Sequence, residues 1–187
     1  MVPGQAKVVI IGGGIMGAGL LYHLTKEGWT DCVLLEKAEL TSGSTWHAAG
    51  QITHGLAHWG LAKINAYGVE FYKNLEAETG QSVSWHGCGS LRVAYHDDEV
   101  DYIRYILSVG RGIGVPMEIV SPEEVKRLNP FFNTDGVQAA LSTPDDGHVD
   151  PSGATMGMIQ AARSRGAKVV RHNRVTDVQQ MPNGEWK

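Results

Sequence analysis

The most constraining feature of this 187-residue chain is a glycine pattern that comes directly after a β-branched apolar run. Lys7-Val-Val-Ile-Ile11 has the composition of a short strand buried on both faces, and it opens into Gly12-Gly-Gly14-Ile-Met-Gly17. In this GxGxxG arrangement Gly12 allows a tight turn, Gly14 lets backbone approach a pyrophosphate, and Gly17 lets the next helix pack close to the strand. The helix N-terminus then offers unpaired N–H groups and the positive end of its dipole to phosphates. Leu20, Leu21 and Leu24 fit one face of that helix, which is expected to stop near Gly28. A second strand, Cys32-Val-Leu-Leu-Glu36, ends in a carboxylate roughly 20 residues after the glycines, the spacing of a ribose hydroxyl acceptor. Strand, glycines, helix, second strand and Glu36 together predict a dinucleotide site.

The residues after Glu36 narrow the nucleotide. A nicotinamide-binding chain would resume plain βαβ alternation, whereas here Thr41-Ser-Gly-Ser-Thr-Trp-His-Ala-Ala-Gly50 comes within a few residues. Small residues and hydroxyls let backbone lie along a long cofactor. The run Glu36-Lys37, then Leu40-Thr-Ser-Gly-Ser-Thr-Trp-His-Ala-Ala-Gly50, resembles the flavin loop of the dimethylglycine dehydrogenase and sarcosine dehydrogenase family, FAD enzymes of the D-amino-acid oxidase superfamily. The resemblance implies that His47, which matches the histidine of that loop, carries FAD covalently through the flavin 8α-methyl group. It also implies FAD contacts from Ile15, Met16, Glu36, Lys37, the loop Gly43, Ser44, Thr45, Trp46, His47, Ala48, Ala49, Gly50 and Gln51, and Val175, alongside the glycines Gly12, Gly14 and Gly17. Independently of the family, a neutral imidazole is a nucleophile at physiological pH. The competing reading of His47 is a polar residue that caps a short helix or bonds a loop carbonyl. One departure from the family is Gln51, where its members commonly carry Leu, and the His- and Trp-containing segment after it is unlike theirs.

Charge and cysteine usage exclude other classes. Sixteen Lys and Arg stand against 20 acids, a formal charge of −4, so no basic surface points to nucleic acid or an anionic membrane. Cys32 and Cys88 make neither a disulfide framework nor a metal site, which suits a reducing compartment. No run approaches a membrane span, and the first residues carry no targeting pattern. A cytoplasmic protein is expected, or a mitochondrial-matrix one if a leader has been removed.

Further along, His54, His58 and Trp59 lie in a stretch without clear period. His54 and His58 are candidates for a substrate-facing role, for polar loop positions or, at i, i+4, for a metal pair. Leu61 to Thr79 reads as a helix with Ile64, Tyr67, Phe71 and Leu75 as its core face. Ser84–His86 and Ser90–Ala94 read as strands around Gly87-Cys-Gly89, with His86 structural. Asp97 to Arg111 is a second amphipathic helix carrying Val100, Ile103, Leu107 and Gly110 on one side, and Pro116–Val120 a strand. Ser121-Pro-Glu-Glu124 fits a capping box on a short helix that ends at Asn129 before Pro130. Val137–Ser142 is a strand. Pro144-Asp-Asp-Gly-His-Val-Asp-Pro151 resembles a family segment; Asp150 before Pro151 has the chemistry of an N-cap for Ser152–Arg165, and His148 is a lesser catalytic candidate. Lys168–Val170 and Arg174–Met181 read as further strands, with a turn at Pro182-Asn-Gly184.

The expected fold is α/β: a Rossmann-like FAD-binding domain of the glutathione-reductase type with an inserted α+β substrate-side segment, incomplete at the C-terminus. The expected boundaries are residues 1–60 for the βαβ unit and flavin loop, 61–143 for the insertion, and 144–187 for the return to the FAD-binding domain. The resemblance implies oxidative demethylation of an N-methylated amino acid of the dimethylglycine or sarcosine type by hydride transfer to flavin N5. Electron-transfer flavoprotein or oxygen would be the acceptor, and tetrahydrofolate would enter only through a C-terminal region beyond Lys187. Two other readings remain: an oxidase of another small amine or imino acid, and a truncated flavin-binding module without turnover.

Overall fold

The computed structural model describes residues 3–187. Its elements are β1 (Val8–Ile11), α1 (Ile15–Lys26), β2 (Cys32–Leu35), a 3-10 turn (Ser44–His47), β3 (Gln51–Ile52), α2 (Trp59–Thr79), β4 (Ser90–Ala94), α3 (Asp97–Gly112), β5 (Glu118–Val120), α4 (Pro122–Leu128), β6 (Ala139–Thr143), β7 (Gly147–His148), α5 (Pro151–Ser164) and β8 (Lys168–Val170). They form two compact units. One holds the residues up to Ala49 with Leu75–Val83 and Asp150–Lys187, the other Gly50–Asn74 with Ser84–Val149.

In the first unit β1, β2 and β8 make a parallel sheet in that order, with Ile10 opposite Leu34 and Leu34 opposite Val169. Parallel neighbours need a crossover; α1 provides the first and α5 leads into the second. The two helices pack on each other; Ala18, Leu21, Tyr22 and Thr25 of α1 are buried, as are Ala154, Met158, Ala161 and Ala162 of α5. Of the leucine face read from the sequence, Leu21 is fully buried and Leu24 half-buried, while Leu20 is 51 % exposed. The buried face is centred on Ala18, Leu21, Tyr22 and Thr25, which follow helical spacing. Asp150 caps α5 as its sequence implies, taking the Ser152 N–H at 3.0 Å and the Gly153 N–H at 2.9 Å.

The unit also gathers a charged cluster. Lys26 of α1 pairs with Glu78 at the end of α2 at 2.8 Å, and Arg165 lies 3.6 Å from the same carboxylate. The Lys26 hydrogen bond is the main cause that holds the Glu78 carboxyl below its ordinary value, with Tyr22 adding to it and partial burial opposing.

In the second unit β4, β6 and β5 form an antiparallel sheet with β6 in the centre, Leu141 facing Arg92 on one side and Ile119 on the other. Ile103, Ile106 and Leu107 of α3 pack with Ala94, Val115, Met117 and Leu141, while Val125 of α4 packs with Val120 and Ala140. β3 and β7 pair as a short antiparallel ribbon, Gln51 opposite His148 and Ile52 opposite Gly147.

Several local expectations shift. Ser84–His86 is no strand but a single bridge, His86 to His148. The stretch 174–181 is largely exposed and forms no named strand; its end folds back after the Pro182–Gly184 turn as a short hairpin, in which Gln179 exchanges backbone hydrogen bonds with Lys187 and the Met181 N–H donates to the Glu185 carbonyl, all at 2.8 Å, around the bridge Gln180 to Trp186. On α2 the buried positions are Ala62, Val69 and Leu75, while Ile64 is 65 % and Tyr67 57 % exposed; the aromatic stripe is rotated off the core, and Tyr67 stacks on Phe71 with centroids 6.0 Å apart. The capping box of α4 is half made. Ser121 Oγ accepts the Glu124 N–H at 3.4 Å, but the Glu124 carboxylate is held by Arg127 at 2.6 and 2.8 Å, a two-pronged charged pair that outcompetes a single backbone donor.

These contacts generate two expected outcomes. Because the folded-state pKa of Glu78 is depressed, its contribution is present above its unfolded value, about 4.3, and is lost as pH falls through the folded value. Urea unfolding should therefore show Glu78→Gln less stable than the parent at pH 7, with the gap closing below pH about 4; a gap independent of pH would contradict the assignment. The second outcome concerns Glu36, whose buried carboxylate accepts the Gly13 N–H at 2.7 Å. Glu36→Ala should cost about 1–3 kcal/mol by leaving that N–H unpaired, whereas Glu36→Gln, which keeps one acceptor oxygen, should cost less in the same titration.

Candidate functional site

The turn after β1 is built as the glycine spacing predicts. Gly12 adopts φ +110°, a conformation open to glycine. A β-carbon on Gly17 would collide with the Gly12 carbonyl oxygen, and one on Gly14 would sit 2.9 Å from Thr45 Oγ1. The sequence assigned no role to Gly13, yet its surroundings enclose it on several sides. Its N–H is bound by Glu36, its carbonyl accepts the Thr41 N–H at 3.0 Å, and a β-carbon there would meet Leu40 Cδ2 at 2.6 Å. The run of three consecutive glycines was the available signal.

Glu36 closes this loop from the end of β2. Oε2 takes the Gly13 N–H and Oε1 the Ala38 N–H at 2.8 Å, while its backbone bonds Val170 and Asn173. Thr45, 6 % exposed, reaches the helix start, where its hydroxyl accepts the Ile15 N–H at 3.0 Å. Side-chain acceptors thus take over two of the backbone donors, one in the turn and one at the start of α1. Met16 is 84 % exposed, Lys37 is exposed and Val175 half-buried.

The 43–50 loop contains the 3-10 turn, entered through Gly43. Ser44, His47, Ala48 and Ala49 are exposed and Gly50 adopts φ +71°. His47 Nδ1 lies 3.0 Å from the Gly43 carbonyl, and the rings of Trp46 and His47 are 4.0 Å apart. A carbonyl only accepts, so Nδ1 carries the proton and Nε2 keeps its lone pair. The two readings of His47 are therefore compatible: it bonds a loop carbonyl, and the bond leaves the other nitrogen nucleophilic.

In the second unit the histidines separate by role. His58 Nδ1 accepts the Leu61 N–H at 3.3 Å in the first turn of α2, a cap. His148 is exposed on β7, opposite Gln51, and its ring stacks on His86 with centroids 4.8 Å apart. His54 is 5 % exposed and bonds Asp146, itself 1 % exposed, through Nδ1 at 2.6 Å. Asp146 opens the Asp-Gly-His-Val-Asp-Pro part of the run that resembles a family segment, where the sequence offered Asp150 as a cap and His148 as the catalytic candidate.

An FAD cofactor fits this chain. The turn has the dinucleotide-binding shape: Gly12 takes φ +110°, Gly17 leaves no room for a β-carbon between α1 and the Gly12 carbonyl, and the α1 N-terminus follows directly.

Comparison with known proteins agrees. The family described as FAD dependent oxidoreductase (DAO) matches residues 7–187. The chain is 42 % identical over 182 residues to the mitochondrial dimethylglycine dehydrogenase of Rattus norvegicus, covering 97 % of this chain and 21 % of that protein. It is 40 % identical over 167 residues to the formaldehyde-forming 4-methylaminobutanoate oxidase of Paenarthrobacter nicotinovorans, covering 89 % and 20 %. Among solved structures, L-proline dehydrogenase from P. horikoshii superposes with a TM-score of 0.92 at 30 % identity over 97 % of this chain and 48 % of that one. The chain thus spans about a fifth of the length of these curated relatives. Glycine cradle, Glu36 clamp and flavin-type loop agree with the family match over residues 7–187: the chain belongs to the DAO family of FAD-dependent oxidoreductases.

Proposed function

We propose that this protein oxidatively demethylates an N-methylated amino acid of the dimethylglycine or sarcosine type. The observation that carries the reading is the glycine cradle sealed by Glu36 and Thr45, with the His47 loop next in the chain, in a sequence 42 % identical to a dimethylglycine dehydrogenase. The residues that would hold FAD are Gly12, Gly14, Ile15, Met16 and Gly17 for the pyrophosphate, Glu36 and Lys37 for the ribose side, residues 43–51 for the flavin side, and Val175 for the adenine side. FAD, when bound, supplies the acceptor for a hydride from the carbon beside the substrate nitrogen.

His47 is the proposed point of covalent attachment, through Nε2. The Gly43 carbonyl supports this by fixing the tautomer, and the Trp46 ring by limiting rotation of the imidazole. Glu36 has a double load under this reading. Both its oxygens already accept backbone N–H groups, so a ribose hydroxyl would use a remaining lone pair of an oxygen the loop has positioned.

The boundaries 1–60, 61–143 and 144–187 are retained as a proposal, with FAD-binding parts first and last and the substrate-side part between. Electron-transfer flavoprotein or oxygen is the proposed acceptor, and the cytoplasm or the mitochondrial matrix the proposed compartment. A second reading, oxidation of a small imino acid, is favoured by the likeness to L-proline dehydrogenase.

Anaerobic mixing of the FAD-loaded protein with dimethylglycine, sarcosine and proline separates the two. Bleaching of the flavin by an N-methylated amino acid, with stoichiometric formaldehyde, is the expected result. Bleaching by proline without response to either N-methylated substrate would overturn it in favour of the second reading.

A further inference from the structure

Within the second unit one buried constellation exceeds what packing requires. The Asp146 carboxylate takes three donors. Oδ1 accepts the His54 backbone N–H at 2.9 Å and the His54 ring through Nδ1 at 2.6 Å, and Oδ2 accepts the Ser90 hydroxyl at 2.5 Å. Oδ1 already accepts a backbone N–H and lies 2.6 Å from Nδ1, the placement of a ring N–H donor, so the neutral ring carries its proton on Nδ1 and Nε2 is its basic site. Nε2 has no hydrogen-bond partner among the described residues and is not sealed from solvent.

The backbone on both sides of this histidine is also fixed. Asn65 Nδ2 donates to the Thr53 carbonyl at 2.9 Å and Arg92 donates to the Gly55 carbonyl at 3.1 Å. Position, tautomer and orientation of the ring are all determined, and one nitrogen is left to react.

We propose that His54 accepts the ammonium proton of the amine substrate, with Asp146 as the positioning residue that fixes its tautomer and Ser90 as the one that holds Asp146. The proposal rests on the amine-oxidising reading above. An aliphatic amino acid nitrogen is protonated at neutral pH and has no lone pair with which to expel a hydride from the adjoining carbon. The proton passes to Nε2, the electron pair of the broken N–H bond stays on the substrate nitrogen, and the imidazolium that forms is stabilised by the Asp146 carboxylate. Nothing is oxidised in this step, and the proton later leaves Nε2 for solvent. The ionisable groups on the neighbouring elements are Asp145 and Asp146 between β6 and β7, Arg92 on β4, His148 on β7, His58 before α2 and Lys63 on α2; among the described residues Asp146 is the one that bonds the ring.

The test is the pH profile of anaerobic flavin bleaching in the FAD-loaded protein. His54→Gln is expected to slow bleaching about 10²–10⁴-fold at pH 7, with the loss shrinking as pH approaches the pKa of the amine, where substrate arrives already deprotonated. Asp146→Asn should displace the profile in the same direction, and Ser90→Ala should do so more weakly. A readout that needs no turnover is nitrogen NMR of histidine-labelled protein without substrate: the neutral His54 ring should carry its proton on Nδ1, and Asp146→Asn should abolish that preference. A His54→Gln loss equal at every pH, or a neutral ring protonated on Nε2, overturns the proposal. Bleaching by proline alone would retire the N-methylated substrate and leave this step to be judged with proline, whose nitrogen has the same requirement.

Discussion

The arrangement of the first unit depends on the buried carboxylate of Glu36. It sits at the end of β2, between the glycine turn after β1 and the backbone at Ala38, and satisfies a donor from each. Its own N–H and carbonyl bond Val170 and Asn173 at the end of β8. One residue therefore joins the ends of all three parallel strands, where nucleotides bind in such sheets. Without it the Gly13 N–H would be enclosed by Leu40 and the β2 end with no partner, a situation folded proteins avoid.

Thr45 completes the enclosure from the other direction. Its hydroxyl occupies the first donor of α1 and lies where a β-carbon on Gly14 would press. The glycine turn is thus shaped partly by the Glu36 carboxylate and partly by the loop that carries His47. Removing either Glu36 or Thr45 disturbs the same few backbone groups, and a cofactor that lies along them would sense both changes. In the second unit Asp146 plays a comparable part, converting three nearby donors into a single fixed geometry for His54.

Much of this was legible in the residues, and the parts that were not have identifiable causes. The βαβ unit, its glycines, the Asp150 cap and the α3 face were readable because each depends on local spacing. On α1 Leu21 is buried as read, but Leu20 lies off the buried face, which also takes in Ala18, Tyr22 and Thr25. The α2 stripe of Ile64, Tyr67 and Phe71 has helical period, but period fixes only that the residues share a face and not which face meets the core. Asp146 and Ser90 lie far from His54 in the chain, and no pattern of spacing links them. Of the strand expected at 174–181, the end from Gln179 to Met181 pairs with residues 185–187 across the turn, while residues 174–178 form no ladder.

The central claim is that the cradle at residues 12–17 and the loop at 43–51 hold FAD, with His47 as its covalent anchor. The most direct measurement is the intact mass of the acid-unfolded protein beside that of His47→Ala. A flavin-sized adduct is expected in the parent and not in the variant. A parent that binds FAD when folded but carries no adduct after unfolding would contradict the anchor, and an adduct that persists in His47→Ala would place it on another residue.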